Sequence, residues 1–297
     1  MTSPGVKIAL DGPIAIDEVS FQRLAELVRN ETGIVLGDNK RNLVVSRLSR
    51  RLRDLQMPDF ASYTRHICAR ENEEERRFLT SLLTTNVTRF FRENHHFDAL
   101  AKDVLPPLIE RAQHGGRVRI WSAGCSSGEE PYSIAMKVLE LCPDAARRDI
   151  RILATDIDPK VIQKARTGSY TNLVDGDVPA ALLSKYFCPP NNDSNAWCVS
   201  EKLRELITFG ELNLLRDWPM RGLFDVIFCR NVVIYFDKQT QALLWSRFSS
   251  VLSPGGHLFV GHSERVHSVG DNQFEGAGIT QYRRSDAPSK IAERTPA

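Results

Sequence analysis

Hydrophobic positions recur at three- and four-residue steps through the first part of the chain. From about residue 118 onward they come instead as short continuous runs separated by helical stretches. Phe21, Leu24, Ala25, Leu27 and Val28 mark one helix that starts at Asp17 and ends near Gly33. A second begins near Asp38 or Asn39, with Val44, Leu48, Leu52 and Leu55 as its inward stripe. Helices over 59–70 and 73–84 follow, the latter opened by Glu73, Glu74 and Glu75 and turning Phe78, Leu79, Leu82 and Leu83 inward. Residues 17–85 therefore read as a small all-helical domain, and the aperiodic residues 1–16 as a flexible arm.

The polar cluster Thr84, Thr85, Asn86 and Thr88 stops the helical pattern. Phe90 and Phe91 then bury, and a helix beyond Arg92-Glu93-Asn94 is predicted to end before Pro106, so 86–105 reads as a linker and first helix. Val118, Ile120 and Trp121 form a buried strand; it breaks at Gly124, and Glu129-Glu130-Pro131 opens a helix. Further strands are predicted at 151–156, 206–209, 224–229, 257–260 and, antiparallel, near 279–284, with a helix at about 238–252. Residues 170–206 break the strand–helix rhythm and read as an inserted subdomain: a short helix at 179–187, then a hairpin with an exposed tip at 191–195. Residues 106–285 thus predict an α/β doubly wound sheet, and 286–297 a disordered tail.

Bulk properties change this picture little. With 297 residues, 42% hydrophobic and 26% charged, the chain is an ordinary globular one. A formal net charge of +2 gives no general support to a nucleic-acid binder. Six cysteines without a CxxC pair point to a reduced, cytoplasmic setting, and no apolar run approaches the length of a membrane span. His95 and His96 are adjacent and do not share one helical face, so they read as structural residues and no metal is expected.

The strand, the loop Gly124–Gly128 and the helix behind it make a nucleotide corner. It lacks the middle glycine of a dinucleotide loop and has no GK[ST] phosphate loop. Asp156, closing the next strand, is placed to accept ribose hydroxyls, which with Glu129 suggests S-adenosylmethionine. Glu129 reads equally as an acid of the first helical turn.

Six segments, TTNVTRFFRE, SAGCSSGEEPYSIA, ATDID, NLL, FDVIFCRNVVIYF and LSPGGHLFVGHSE, together resemble the signature blocks of the CheR-type chemotaxis methyltransferases over about residues 17–284. The resemblance implies a class I S-adenosylmethionine-dependent methyltransferase domain (Rossmann-like), with a helical N-terminal domain and an inserted antiparallel β-subdomain. It also implies methyl transfer to receptor glutamates, giving methyl esters and S-adenosylhomocysteine. Carried over residue by residue, it puts cofactor contacts at Asn86, Thr88, Arg92, Glu129, Asp156, Asn213, Leu214, Arg230 and Asn231. Helix capping for Asn86 or Thr88 and an ion pair for Arg92 are the structural alternatives. Tyr235 reads either as a group that positions the incoming carboxylate or as a half-buried aromatic.

Between Asn39 and Arg53 stand Lys40, Arg41, Arg47, Arg50, Arg51 and Arg53 with no acid among them. Arg47, Arg50 and Arg53 face away from the apolar stripe, which predicts a docking surface for an acidic partner, with a solvated face as the alternative. The resemblance implies that this partner is the acidic, cytoplasmic helical region of a chemoreceptor. Members that tether to a receptor's C-terminal pentapeptide carry a glycine-rich loop in the β-subdomain. Here Pro189–Asn195 holds no glycine, so direct docking on receptor helices by a monomer is expected instead. A cofactor-binding adaptor and a nucleic-acid methyltransferase are the rivals; the latter lacks a [DN]PP[YF] motif.

Overall fold

Asp17 fixes the first element: its carboxylate accepts the Ser20 N–H at 2.9 Å, capping α1 (Glu18–Thr32), which Gly33 ends in the left-handed region. The computed structural model describes residues 15–69, 71–171, 173, 176–190, 195–266 and 274–285. The predicted arm up to residue 14, the hairpin tip at 191–194 and the tail from 286 lie outside them. The chain divides into two compact units, one holding the chain up to Thr85 with Tyr235–Asp237, the other Asn86–Ile234 and the chain from Lys238.

In the first unit α1 is followed by α2 (Arg41–Asp54), α3 (Phe60–Cys68) and α4 (Glu73–Leu83). Their apolar stripes meet in one core around Phe21, Leu24, Val44, Leu48, Tyr63 and Leu79. The Tyr235 carbonyl accepts the Val35 N–H at 2.9 Å, and Arg29 lies 2.6 Å from Asp237, which ties these late residues into the unit.

The second unit opens with one helical run. α5 (His95–Ala99) passes through a π-helical turn, Leu100–Val104, into α6 (Leu105–Gln113). The helix therefore does not end before Pro106, as the sequence reading expects. Leu105 bonds back to the Leu100 carbonyl across the widened turn, and Pro106 and Pro107 fall in the first turn of α6, where a missing N–H costs little. Residues 86–105 consequently form no separate linker but the start of this unit.

Five parallel strands follow: β1 (Val118–Ala123) and β2 (Ile150–Asp156), then, beyond the short β3 (Ser169–Tyr170), β4 (Phe187–Cys188) and β5 (Trp197–Val199), β6 (Ile207–Glu211), β7 (Phe224–Cys229) and β8 (Leu252–Val260). β9 (Phe274–Gly278), a strand the sequence reading does not foresee, pairs antiparallel with β10 (Gln281–Arg284), which closes antiparallel on β8. The order β6-β2-β1-β7-β8-β10-β9 reverses direction between β1 and β7, the switch point where such sheets hold ligands. α7 (Glu129–Leu141), α8 (Pro159–Thr167), α9 (Ala180–Tyr186), α10 (Glu201–Arg204) and α11 (Lys238–Val251) complete the unit. β3, β5 and β4 form the expected separate antiparallel sheet. Its Tyr170 and Phe187 meet Phe90 edge-on, at 4.9 and 5.5 Å. None of the described helices is long and apolar enough to cross a membrane.

Candidate active site

The loop after β1 is held by its own backbone: the N–H groups of Gly124 and Cys125 both donate to the Thr155 carbonyl, at 2.8 and 2.9 Å. Gly124 takes φ +86°, and a Cβ there would lie 2.3 Å from a Val232 methyl, so only glycine fits. Gly128 (φ +98°) starts α7 under milder crowding, where a Cβ would lie 2.9 Å from the Ala165 Cβ. Both glycines thus serve the packing of the corner directly, alongside any approach of a ligand.

Two acids border this loop at the carboxyl ends of β1 and β2. Asp156 is 8% exposed; its Oδ2 accepts the Ser126 N–H at 2.8 Å and its Oδ1 the Asp158 N–H at 3.0 Å. Glu129, also buried, accepts the Ser127 hydroxyl at 2.7 and 3.0 Å. Among the described residues neither carboxylate forms an ion pair. Burial pushes both upward, Glu129 against the Ser127 hydrogen bond and a weaker pull from Lys164, Asp156 to about 6. A carboxylate offers about four acceptor positions. Asp156 therefore keeps room for two hydroxyls, the demand a ribose makes. These acceptors fit S-adenosylmethionine.

The segment ahead of α5 crosses the same loop. The Ser126 hydroxyl donates to the Asn86 carbonyl at 2.8 Å, and the Asn86 amide donates to Asp158 at 2.8 Å. Thr88 is half-buried, and Arg92 donates one N–H to the Val87 carbonyl at 2.9 Å, leaving most of its fork to other acceptors. Phe91 and Glu93 adopt φ of +50° and +56°, the left-handed region that costs non-glycine residues about 1 kcal/mol each.

At the end of β6 the Asn213 side chain accepts the Leu215 N–H at 2.9 Å, and Leu214 is buried. Arg230, ending β7, is differently placed from the expected cofactor contact. Its guanidinium lies 3.0 Å from Glu130 and 3.3 Å from Glu93 and donates to the Arg92 carbonyl, so its two terminal nitrogens are engaged inside the protein, while its buried Nε has no partner among the described residues. Burial raises Glu93, but His262 and Arg230 outweigh it and hold that carboxyl at about 2. Asn231 (φ +57°) follows it, half-exposed.

One residue escaped the sequence reading. Glu264, 3% exposed, accepts five backbone N–H groups: Asn231, Val232, Val233 and Ile234 at 2.9–3.3 Å, and Gly261 at 2.6 Å. It fixes the turn that carries Asn231. The only sequence signal was an acid just beyond a strand's carboxyl end, within the block LSPGGHLFVGHSE.

His95 and His96, set aside above as metal ligands, do come together: with Glu93 their ligand atoms lie within 4.8 Å of one another. The rings approach to 4.2 Å because the helix only begins at His95. His96 is a buried structural histidine, bonded to Thr280 at 2.8 Å and held neutral, at about 3, by burial and by Arg230. The same guanidinium, beside Glu93, opposes a cation there.

Comparison with known families matches residues 86–283 to the CheR methyltransferase SAM-binding domain and residues 20–84 to the CheR methyltransferase all-alpha domain. The chain belongs to the CheR methyltransferase family. A probable chemotaxis protein methyltransferase of Rhizobium etli is 48% identical over 258 residues, 86% of this chain and 96% of its own. Chemotaxis protein methyltransferase 2 of Pseudomonas aeruginosa is 42% identical, covering 86% of this chain and 92% of its own. The Escherichia coli chemotaxis protein methyltransferase is 38% identical, covering 92% and 93%. The chain is thus a chemotaxis-type methyltransferase with an S-adenosylmethionine-binding domain.

In the family's all-alpha domain three of the six cations of 39–53, Arg41, Arg47 and Arg51, have partners, contrary to the expectation that all are unpaired. Arg51 forks onto Glu75 at 2.5–3.2 Å, and Arg41 meets Glu18 at 2.5 Å. Arg47 donates to the Leu82 and Thr84 carbonyls at 2.9 and 2.7 Å, satisfying the end of α4 instead of facing solvent. The acids come from other helices, which a search along one helix does not reveal. Arg50 and Arg53 are exposed. Tyr235 is half-buried, and its hydroxyl makes no hydrogen bond among the described residues.

Proposed function

We propose that this enzyme methylates side-chain carboxylates of glutamates in the cytoplasmic helical region of chemoreceptors, giving glutamyl methyl esters and S-adenosylhomocysteine. The observation that carries the reading is the pair of buried acids, Asp156 and Glu129, set around the glycine loop with no ion-pair partner among the described residues. Asp156 would take the ribose hydroxyls and Glu129 would bound the same loop. Arg92 would take the amino-acid carboxylate in its free fork, and Asn213 and Asn231 would close the strand-end side, with Asn86, Thr88 and Leu214 lining the pocket. S-adenosylmethionine, when bound, supplies a methyl group activated by a positively charged sulfur.

A glutamate carboxylate is ionised at neutral pH and is itself the nucleophile, so the protein needs neither a general base nor a metal. Its part is to hold the carboxylate in line and keep water out. Tyr235 is the candidate for orienting the acceptor by its hydroxyl. Exposed Arg50 and Arg53 supply positive charge for an acidic receptor helix. The test is transfer of labelled methyl to a receptor fragment. Label released as methanol by mild alkali supports the reading, and alkali-stable label would sink it.

A further inference from the structure

At the opposite, amino-terminal end of the parallel strands lies a cavity of about 300 Å³, lined by Arg117, Arg119, Arg151 and Arg221 and by no carboxylate. Its origin is topological. The crossovers β1–β2, β2–β6 and β7–β8 each carry a helix, whereas residues 212–223, between β6 and β7, form none. On the sheet face that α11 covers farther along, Arg151 and Thr208 near the amino-terminal ends of β2 and β6 are exposed and Arg119 of β1 is half-buried.

Alternation sets what is shown there. Arg119 and Trp121 share a face of β1, and Trp121 packs on Trp218, Phe224 and Phe248. Arg119 and Arg151 are register partners, so two cations stand side by side on adjacent strands, a pairing that is unfavourable by itself. Arg119 is partly compensated by Asp149 at 2.7 Å, and Arg151 donates to the Arg148 and Ile150 carbonyls. Arg117 and Arg221 are exposed and have no ion-pair partner among the described residues. A Cβ on Gly222 would stand 3.6 Å from the Arg117 guanidinium, which therefore lies along that backbone at the rim. Leu153, Met220 and Phe224 supply an apolar wall.

We propose that this cavity binds a nucleoside polyphosphate, its phosphates on the arginine forks and its base against the apolar wall. Guanidinium groups bind phosphate oxygens in pairs, which the exposed Arg117 and Arg221 forks allow, while Arg119 and Arg151, tied to Asp149 and to backbone carbonyls, add positive charge behind them. The volume lies at the lower end of the range of small-ligand sites and suits one nucleotide better than an extended chain. An isolated phosphate would leave the apolar wall unused.

The test is calorimetric titration of the full-length protein with GTP and with tripolyphosphate, the methyl-donor site being kept filled with S-adenosylhomocysteine. Micromolar GTP binding is expected, at least tenfold tighter than tripolyphosphate. Arg117→Ala with Arg221→Ala, neither of which removes an internal ion pair, should weaken GTP binding at least tenfold while leaving S-adenosylhomocysteine affinity and the melting temperature unchanged. Absence of GTP binding at millimolar concentration overturns the proposal, as does binding that the double variant leaves intact. Tripolyphosphate binding as tight as GTP overturns the role given to the wall.

Discussion

Two buried acids, one in each unit, look alike in sequence and differ in what surrounds them. Glu75 in the helical unit accepts the fork of Arg51 and the Tyr63 hydroxyl at 2.9 Å. Its acceptor positions are filled, and it joins α2, α3 and α4. Asp156 in the α/β unit accepts two N–H groups, forms no ion pair among the described residues and keeps acceptor capacity in reserve. A filled carboxylate is architecture; a buried one with unfilled positions is a site. Glu264, filled by five N–H groups, is architecture inside the site.

The sharpest way to test this division is Glu264→Ala. It strands five N–H donors, two of them in buried hydrogen bonds, and should destabilise the α/β unit by about 4 kcal/mol in urea unfolding. Glu264→Gln, which keeps one carbonyl acceptor, should recover part of that loss. Asp156→Asn should leave stability nearly intact yet weaken S-adenosylmethionine about 100-fold, measured by calorimetry, since two charge-assisted hydrogen bonds of about 1.5 kcal/mol are lost. Comparable loss of stability in both variants would erase the distinction.

Glu75→Gln should cost about 2 kcal/mol of stability, a figure reduced because Arg51 is a quarter exposed, with no change in cofactor affinity. The pH dependence follows from Asp156. Its folded value is raised to about 6 from 3.8, so the folded protein holds a proton that the unfolded chain releases between those limits. Stability from this group therefore falls as pH rises from about 4 to 6. Cofactor binding, which needs the ionised form, should instead weaken by up to tenfold per pH unit below about 6, and Asp156→Asn should flatten that profile. The smallest effect concerns the basic helix. Arg50→Glu with Arg53→Glu should raise the KM for a receptor fragment several-fold at unchanged kcat, whereas Arg47→Ala should lower the melting temperature instead, because Arg47 is bonded to the end of α4.

Much of this was legible from local pattern. Apolar stripes at helical spacing gave α1 to α4, and continuous apolar runs gave the parallel strands, because burial on one face or on two imposes those periods. Asp156 was legible as an acid ending a strand. The prolines after α5 misled, since a widened helical turn absorbs them without a break. The charge run on α2 misled too: Arg41, Arg47 and Arg51 find partners on other helices, which no spacing along one element encodes.

The sequence by itself determined most of the elements, the glycine loop and the acids that border it, since each follows from short-range sterics and periodic burial. Tertiary structure decided which of those polar groups are occupied. Arg230 and Arg47 turned inward to acids and carbonyls brought from distant segments, Glu264 gathered five N–H groups, and Asp156 was left with unfilled capacity. A polar side chain's role depends on how many of its hydrogen bonds the fold completes, and that count exists only once the segments have met.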